Sequence, residues 1–300
     1  MKEFYRVLSL TLLVVIGAGA NGWAQDKGKV PKPSPPPVEM GLFSDMDRAM
    51  LYSDKVIELN LRDQNLTSVP LEIMKFENLE VLDLANNQIS ELPSFLSQMP
   101  NLRGLFINEN QIKHIGESIT DCRNLRVLNV AGNPLISIST QIKEMVNLEK
   151  LIISSTSPKV KFQEAIWDIP HLVLLRLIDM NIDEVPSKIS NMTRLEELCL
   201  QNNKITEFPK ELVDLPMLTY ISVGNNQIEK VPTELGSMER LYYLALFGNP
   251  IKSVPEEFEG LKGLEFFASW DTQINKEEQE RIERLLPLET KLNFNGEGIH

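Results

Sequence analysis

The pattern Leu-x-x-Leu-x-Leu-x-x-Asn-x-Ile returns every 23 residues, most plainly at Leu79–Ile89, Leu102–Ile112, Leu195–Ile205 and Leu218–Ile228. A period of this length marks a solenoid, because one such unit cannot bury its apolar side alone and must stack on its neighbours. With the second leucine as marker, the series runs Leu59, Leu82, Leu105, Leu128, Leu151, Leu175, Leu198, Ile221, Leu244 and Phe267. That makes ten units, with one 24-residue step between Leu151 and Leu175.

Each unit explains itself chemically. Pairs two apart, such as Leu82 with Leu84 and Leu244 with Leu246, follow the strand period and point into a common core, so the residues between them point out. Asn87, Asn110, Asn133, Asn203, Asn226 and Asn249 stand where the strand ends, with side-chain amides suited to bonding the turn backbone. Next come Val69-Pro70, Leu92-Pro93, Val185-Pro186, Phe208-Pro209, Val231-Pro232 and Val254-Pro255. Proline lacks the N–H a central ladder needs, so these dipeptides mark departure onto the convex side. A last apolar column, Phe76, Met99, Cys122, Met145, Ile169, Met192, Leu215, Met238 and Leu261, closes the back of the core.

On these residues the chain resembles the leucine-rich repeats of the 23-residue class, L-x-x-L-x-L-x-x-N-x-L-x-x-L-P, over about residues 56–275. The resemblance implies an α/β fold, a horseshoe with a parallel concave sheet that binds proteins and carries no chemistry of its own. The run Ser44 to Met50 leading into Val56–Leu66 resembles the opening of exported bacterial members, Bacteroidetes-like in style.

The ends read differently. Lys2 and Arg6, the apolar run Val7 to Ala20 and then Gly22-Trp23-Ala24 have the layout of a secretory signal peptide over residues 1–24, too short for a membrane span; an uncleaved anchor is the alternative. Residues 25–40, with Pro31, Pro33 and Pro35-Pro36-Pro37, read as an extended linker or a leader without a partner. Residues 41–55 are expected to form a helical cap, Ser44 with Asp47 being a capping-box pair, and residues 276–300 a second cap. There Asn275 with Glu278 opens a helix carrying Ile282, Leu285 and Leu286 before Pro287, and Leu292-x-Phe294 reads as a final partial strand.

The formal net charge is −12, and about −13 once residues 1–24 are removed. An acidic chain with no basic stripe excludes nucleic acid as a partner. The two cysteines lie three units apart, about 14 Å at 4.8 Å per strand, too far for a disulfide. Cys122 belongs to an apolar core column. Cys199 takes an outward slot and reads as an accessible thiol, with no His or Asp placed to activate it. His114, His171 and His300 are scattered, no metal-ligand cluster or phosphate loop occurs, and neither enzyme activity nor a cofactor is expected.

The outward strand positions define the candidate ligand surface. The first units offer Glu58, Asn60, Arg62, Asp83, Asn86, Phe106, Asn108 and Glu109; the middle offers Val127, Ile152, Leu174, Arg176 and Ile178; the last three offer Tyr220, Tyr243, Phe247, Phe266 and Trp270. Aromatic residues make up 7% of the chain, so five on neighbouring strands single out the C-terminal end as the expected contact, Phe266 and Trp270 being open to burial by the cap. The irregular fifth unit, with Thr156 in the Asn slot and Pro158 in an aliphatic one, reads as a degenerate repeat or as a bulge beside the site. In the sixth, Met180 replaces the Asn. The expected function is a secreted or envelope-exposed monomeric recognition protein for a protein or peptide, with a glycan as the other chemistry and no transmembrane anchor after processing. An intracellular scaffold of the small-GTPase-signalling kind is the alternative.

Overall fold

The computed structural model describes residues 41–296, and the signal-peptide, linker and His300 readings lie outside them. Twelve strands form one parallel sheet: β1 Leu42–Phe43, β2 Glu58–Asn60, β3 Val81–Asp83, β4 Gly104–Phe106, β6 Val127–Asn129, β8 Lys150–Ser154, β9 Leu174–Ile178, β10 Glu197–Cys199, β11 Tyr220–Ser222, β12 Tyr243–Ala245, β13 Phe266–Ala268 and β14 Lys291–Asn293. The sheet is the concave layer of an α/β solenoid. Consecutive repeat strands pair 23 residues apart, as in Leu59 on Leu82 and Ile221 on Leu244, and the single 24-residue offset joins Leu151 to Leu175. The inward leucines, the asparagine-flanking aliphatics and the Phe76-to-Leu261 column merge into one continuous core.

Behind the sheet eight of the coils return through a five-residue 3-10 turn, and the third returns through a short α-helix. Pro70, Pro93, Pro186, Pro209, Pro232 and Pro255 stand directly before six of these turns, with φ between −61° and −73°. The third and fourth units carry Gly116 and Ser139 in the proline slot, and the consequence is local: the Ser139 N–H donates to the Ile115 carbonyl at 2.7 Å, a bond proline cannot make. A second, two-stranded ladder forms there from β5 His114–Ile115 and β7 Ser137–Ile138, next to the short helix α2 Glu117–Thr120. Between the eighth and ninth units the coils meet closely. A Cβ on Gly236 would sit 2.0 Å from the Glu257 carbonyl oxygen, so only glycine permits that contact.

The strand-exit asparagines tie coil to coil. Asn226 is representative: its Nδ2 donates to the Val223 and Gly224 carbonyls of its own turn and to the Leu200 carbonyl of the preceding coil, while its Oδ1 accepts from the Ile205 N–H. Asn87, Asn110, Asn133, Asn203 and Asn249 repeat the arrangement, all buried. Two units depart from it. In the fifth, Ser155 rather than the expected Thr156 occupies the turn, lying in bridge register with Asn133 and donating to the Leu135 carbonyl; Thr156 is exposed. The extra length is taken up after the strand, since the turn Glu164–Asp168 follows Thr140–Glu144 by 24 residues. In the sixth, Met180 fills the slot as an apolar plug, its N–H donating to Asn203 Oδ1, and Asn181 reaches back to the Pro158 and Val160 carbonyls.

The ends are closed as well. Helix α1, Met46–Leu51, buries Ala49 under the first coil; its N-cap is Asp45, accepting from the Arg48 N–H at 2.8 Å, not Ser44, which stands one residue outside the cap. Helix α3, Lys276–Leu285, starts at Asn275, which accepts from the Glu278 N–H, and buries Ile282. Glu278 and Arg281 then grip the N–H and carbonyl of Val254 on the convex side, so this helix does not cover the aromatic strand positions.

Because Asn226 satisfies four backbone groups that water cannot reach, Asn226→Ala is expected to destabilise the array by about 3 kcal/mol. Thr156→Ala, at an exposed position, is expected to stay within about 0.5 kcal/mol of the parent. Urea unfolding of both variants measures the difference.

Candidate functional site

In-register stacking turns each outward position into a row. One row runs Glu197, Tyr220, Tyr243, Phe266, Lys291; two residues along each strand, a second runs Cys199, Ser222, Ala245, Ala268, Asn293. Two further on, just beyond the strands, come Gln201, Gly224, Phe247 and Trp270. The first and third rows carry the rings, and the middle row is small. Tyr220 stacks on Tyr243 with centroids 4.1 Å apart and planes 6° from parallel; Phe266 follows, tilted, at 6.0 Å, and Lys291 Nζ lies 4.8 Å over the Phe266 ring. Phe247 stacks on Trp270 at 4.0 Å and 5°. A Cβ on Gly224 would fall 2.3 Å from Cζ of Phe247, so the missing side chain is what lets that ring lie down. Tyr243, Ala245, Phe247, Ala268 and Trp270 form an apolar cluster separate from the solenoid core.

The result is a trough running across three strands. Its walls are the two aromatic rows, whose backbones lie about 13 Å apart at 3.3 Å per residue, and the rings lean over and cover a floor of Ser222, Ala245 and Ala268. Arg176, ion-paired with Glu197, stands at one end, and Lys291 at the other. Burial works against the Arg176 charge, but Glu197 outweighs it and holds the guanidinium pKa above its ordinary value. Burial, followed by the neighbouring Tyr243, pushes the Tyr220 hydroxyl well above the phenol range, so it is a neutral hydrogen-bonding group.

Not every outward residue is accessible. Tyr220, Tyr243, Phe266, Trp270, Arg176 and Ile178 are half-buried and bound the open surface. Phe106 at 0% exposure, Ile152 and Leu174 at 4%, and Phe247 at 9% do not reach solvent in the way their outward direction implies. The reason is lateral packing: strands lie 4.7–4.9 Å apart, so a side chain flanked on both sides is covered without entering the core. Phe106 additionally leans over Gly104, and Phe247 over Gly224. Val127 is buried in the same way. Phe266 and Trp270 are flanked by the C-terminal tail, through Lys291 and Gly296, and keep part of their surface.

The N-terminal part of the face is polar and internally bonded. Asp83 is buried, accepts from the Ala85 N–H at 2.9 Å and pairs with Arg62 Nε at 3.4 Å. Burial, with Asp83 second, pushes the Glu58 carboxyl up. A feature that the repeat reading passed over is the residue after the third row: Asp63, Asn86, Glu109, Asp179, Asn202, Asn225 and Asp271 all have φ between 52° and 61°, and Gly132 and Gly248 take φ of 68° and 62° in theirs. Left-handed backbone explains the Asn, Asp and Gly bias at that slot, which was the available signal.

Cys199 is not the accessible thiol its slot implies. It is 4% exposed at the floor's upstream end, and burial pushes its pKa up to about 11 despite Arg176 nearby; Cys122, in the core column, goes up to about 12. Among the described residues no three His, Cys, Asp or Glu side chains gather as metal ligands. An open depression of about 940 Å³ beside the irregular units, lined by Val160, Phe162, Trp167 and Asp183, mixes apolar and charged groups without a nucleophile–base pair. Burial thus keeps Cys199 as the neutral, unreactive thiol near neutral pH. The native protein is therefore expected to react with a thiol-specific disulfide reagent at neither cysteine within minutes and at both in guanidinium. Fast labelling of a native thiol would contradict the burial.

Comparison with known proteins agrees with this architecture. The family profile for a leucine-rich repeat region matches residues 156–290, and that for two copies of leucine-rich repeats matches residues 77–121. No curated protein sequence matches the chain significantly. Among solved structures, internalin InlF of Listeria monocytogenes superposes with TM-score 0.54 at 21% identity, covering 83% of each chain. The functional domain of InlJ from the same organism gives 0.63 at 19%, over 77% of this chain and 47% of that one. The ectodomain of the Arabidopsis thaliana receptor kinase GASSHO1/SCHENGEN3, solved with Casparian strip integrity factor 2, gives 0.60 at 26%, over 75% of this chain but 28% of its own. Among the described residues no helix is long and apolar enough to cross a membrane. Register, asparagine ladder, profiles and solved folds converge: this chain is a leucine-rich repeat protein, built on a protein-interaction scaffold.

Proposed function

We propose that the chain is a non-enzymatic recognition protein, exported to the envelope or beyond, that holds a polypeptide ligand against the concave face at β11 to β13. The observation that carries the reading is the trough itself, two stacked aromatic walls over a floor of alanine and serine on strands that need no rearrangement to bind. A preorganised sheet spends little conformational entropy on binding, and half-exposed Tyr and Trp are the side chains most often dominant in interfaces. Ring usage favours polypeptide over glycan. Tyr220 and Tyr243 cover one another, and Trp270 has Phe247 on one side and Gly296 on the other, so edges and hydroxyls rather than free faces meet the ligand. The Arabidopsis ectodomain, solved with its factor bound, lends the same reading support.

Export rests on Lys2, Arg6, the apolar run and Gly22-Trp23-Ala24, with residues 25–40 as a linker ahead of a monomeric solenoid. N-terminal sequencing of the mature protein is expected to begin at Gln25; an intact Met1 would favour the intracellular scaffold.

Tyr243→Ala removes the ring shared by Tyr220 and Phe266, and should cost about 1 kcal/mol of stability while abolishing partner capture from a native surface extract. Capture undiminished in a folded variant would overturn the trough as the ligand surface, and global unfolding would show that the rings serve packing.

A further inference from the structure

We infer that the trough takes a basic polypeptide segment with a bulky apolar centre, lying across the trough along the strand direction with its cations over both lips; this rests on the trough being the ligand surface. The lips are acidic. Outside the tyrosine row stand Glu196 and Glu265, one residue before Glu197 and Phe266; outside the other wall stands Asp271, one residue after Trp270. All three are exposed, and none enters an ion pair among the described residues. Against them the trough offers one unpaired cation, Lys291, held over the Phe266 ring, since Arg176 is neutralised by Glu197.

The geometry separates the two kinds of contact. Six residues part the lips, about 20 Å at the strand rise, which no single cation spans. A ligand that satisfies both lips therefore carries positive charge on either flank of its apolar part. The floor of Ser222, Ala245 and Ala268 is already covered by the rings on either side, so an apolar side chain of the ligand rests on the exposed parts of Tyr243, Phe266 and Trp270. The same charges reject an acidic segment, so discrimination comes from repulsion as much as attraction. Exposed pairs are individually weak and screened by salt, and their main effect is on encounter and selectivity.

Three peptides test this against the full mature chain by titration calorimetry: acetyl-Lys-Arg-Leu-Phe-Leu-Lys-Arg-amide, the same core flanked by Gln, and the same core flanked by Glu. The basic peptide should bind about tenfold more tightly than the Gln form at low salt, with the gap closing toward about 0.5 M salt, and the Glu form should not bind measurably. The double variant Glu265→Lys, Asp271→Lys, with its melting temperature checked, should lose the preference for the basic peptide. Equal binding of basic and Gln peptides, abolished in both by Tyr243→Ala in a folded variant, would overturn the basic-partner inference and leave the trough reading standing. Binding by none of the three also overturns the inference, and Tyr243→Ala in the capture assay then decides the fate of the trough reading.

Discussion

Each coil that leaves the sheet exposes backbone carbonyls and amides at its turn, and stacking buries them where water cannot follow. The asparagine at the strand exit resolves this with one side chain, donating to its own turn and to the coil before it while accepting from the coil's returning backbone. Without that closure the leucine columns would pack over unpaired polar groups, at a cost of several kcal/mol per turn. The register follows from it, because an amide that bridges two coils fixes how they align. So do the aromatic rows, which exist only because Tyr220, Tyr243 and Phe266 fall opposite one another.

Much of this was legible in the primary structure. The 23-residue period, the inward leucine pairs, the prolines at the sheet exit and the 24-residue step all reappear as geometry, because each rests on a local rule that tertiary context does not override. Departures arise where two residues compete for one slot. Ser155 displaced Thr156 at the fifth turn because a short hydroxyl next to the strand can bond the Leu135 carbonyl, while the longer stretch behind it absorbs the insertion. Asp45 displaced Ser44 as cap for the equally local reason that its carboxylate meets the Arg48 N–H.

The site was legible in direction and not in accessibility. Alternation tells which way Phe106, Ile152, Leu174 and Phe247 point, yet coverage depends on the neighbours 23 residues away on either side, and on glycines such as Gly104 and Gly224 that invite a ring to lie flat. Cys199 shows the same thing chemically: an outward slot became a floor position, and its thiol lost the exposure that reactivity needs. What singled out the C-terminal strands was the set of outward aromatics on neighbouring strands; the alternation of large and small rows becomes visible only when the repeats are aligned under one another.

That alternation gives the molecule two nearly independent alphabets. Residues that lock the coils are the inward leucines of each strand and the buried asparagine at its exit; residues that shape the trough, such as Ala245 and Ala268, alternate with the leucines and are distinct from both. A change in the ring rows or in the small residues beneath them therefore reshapes the ligand face while leaving the ladder intact. Such a scaffold can drift from one ligand to another in single steps, each passing through a folded intermediate.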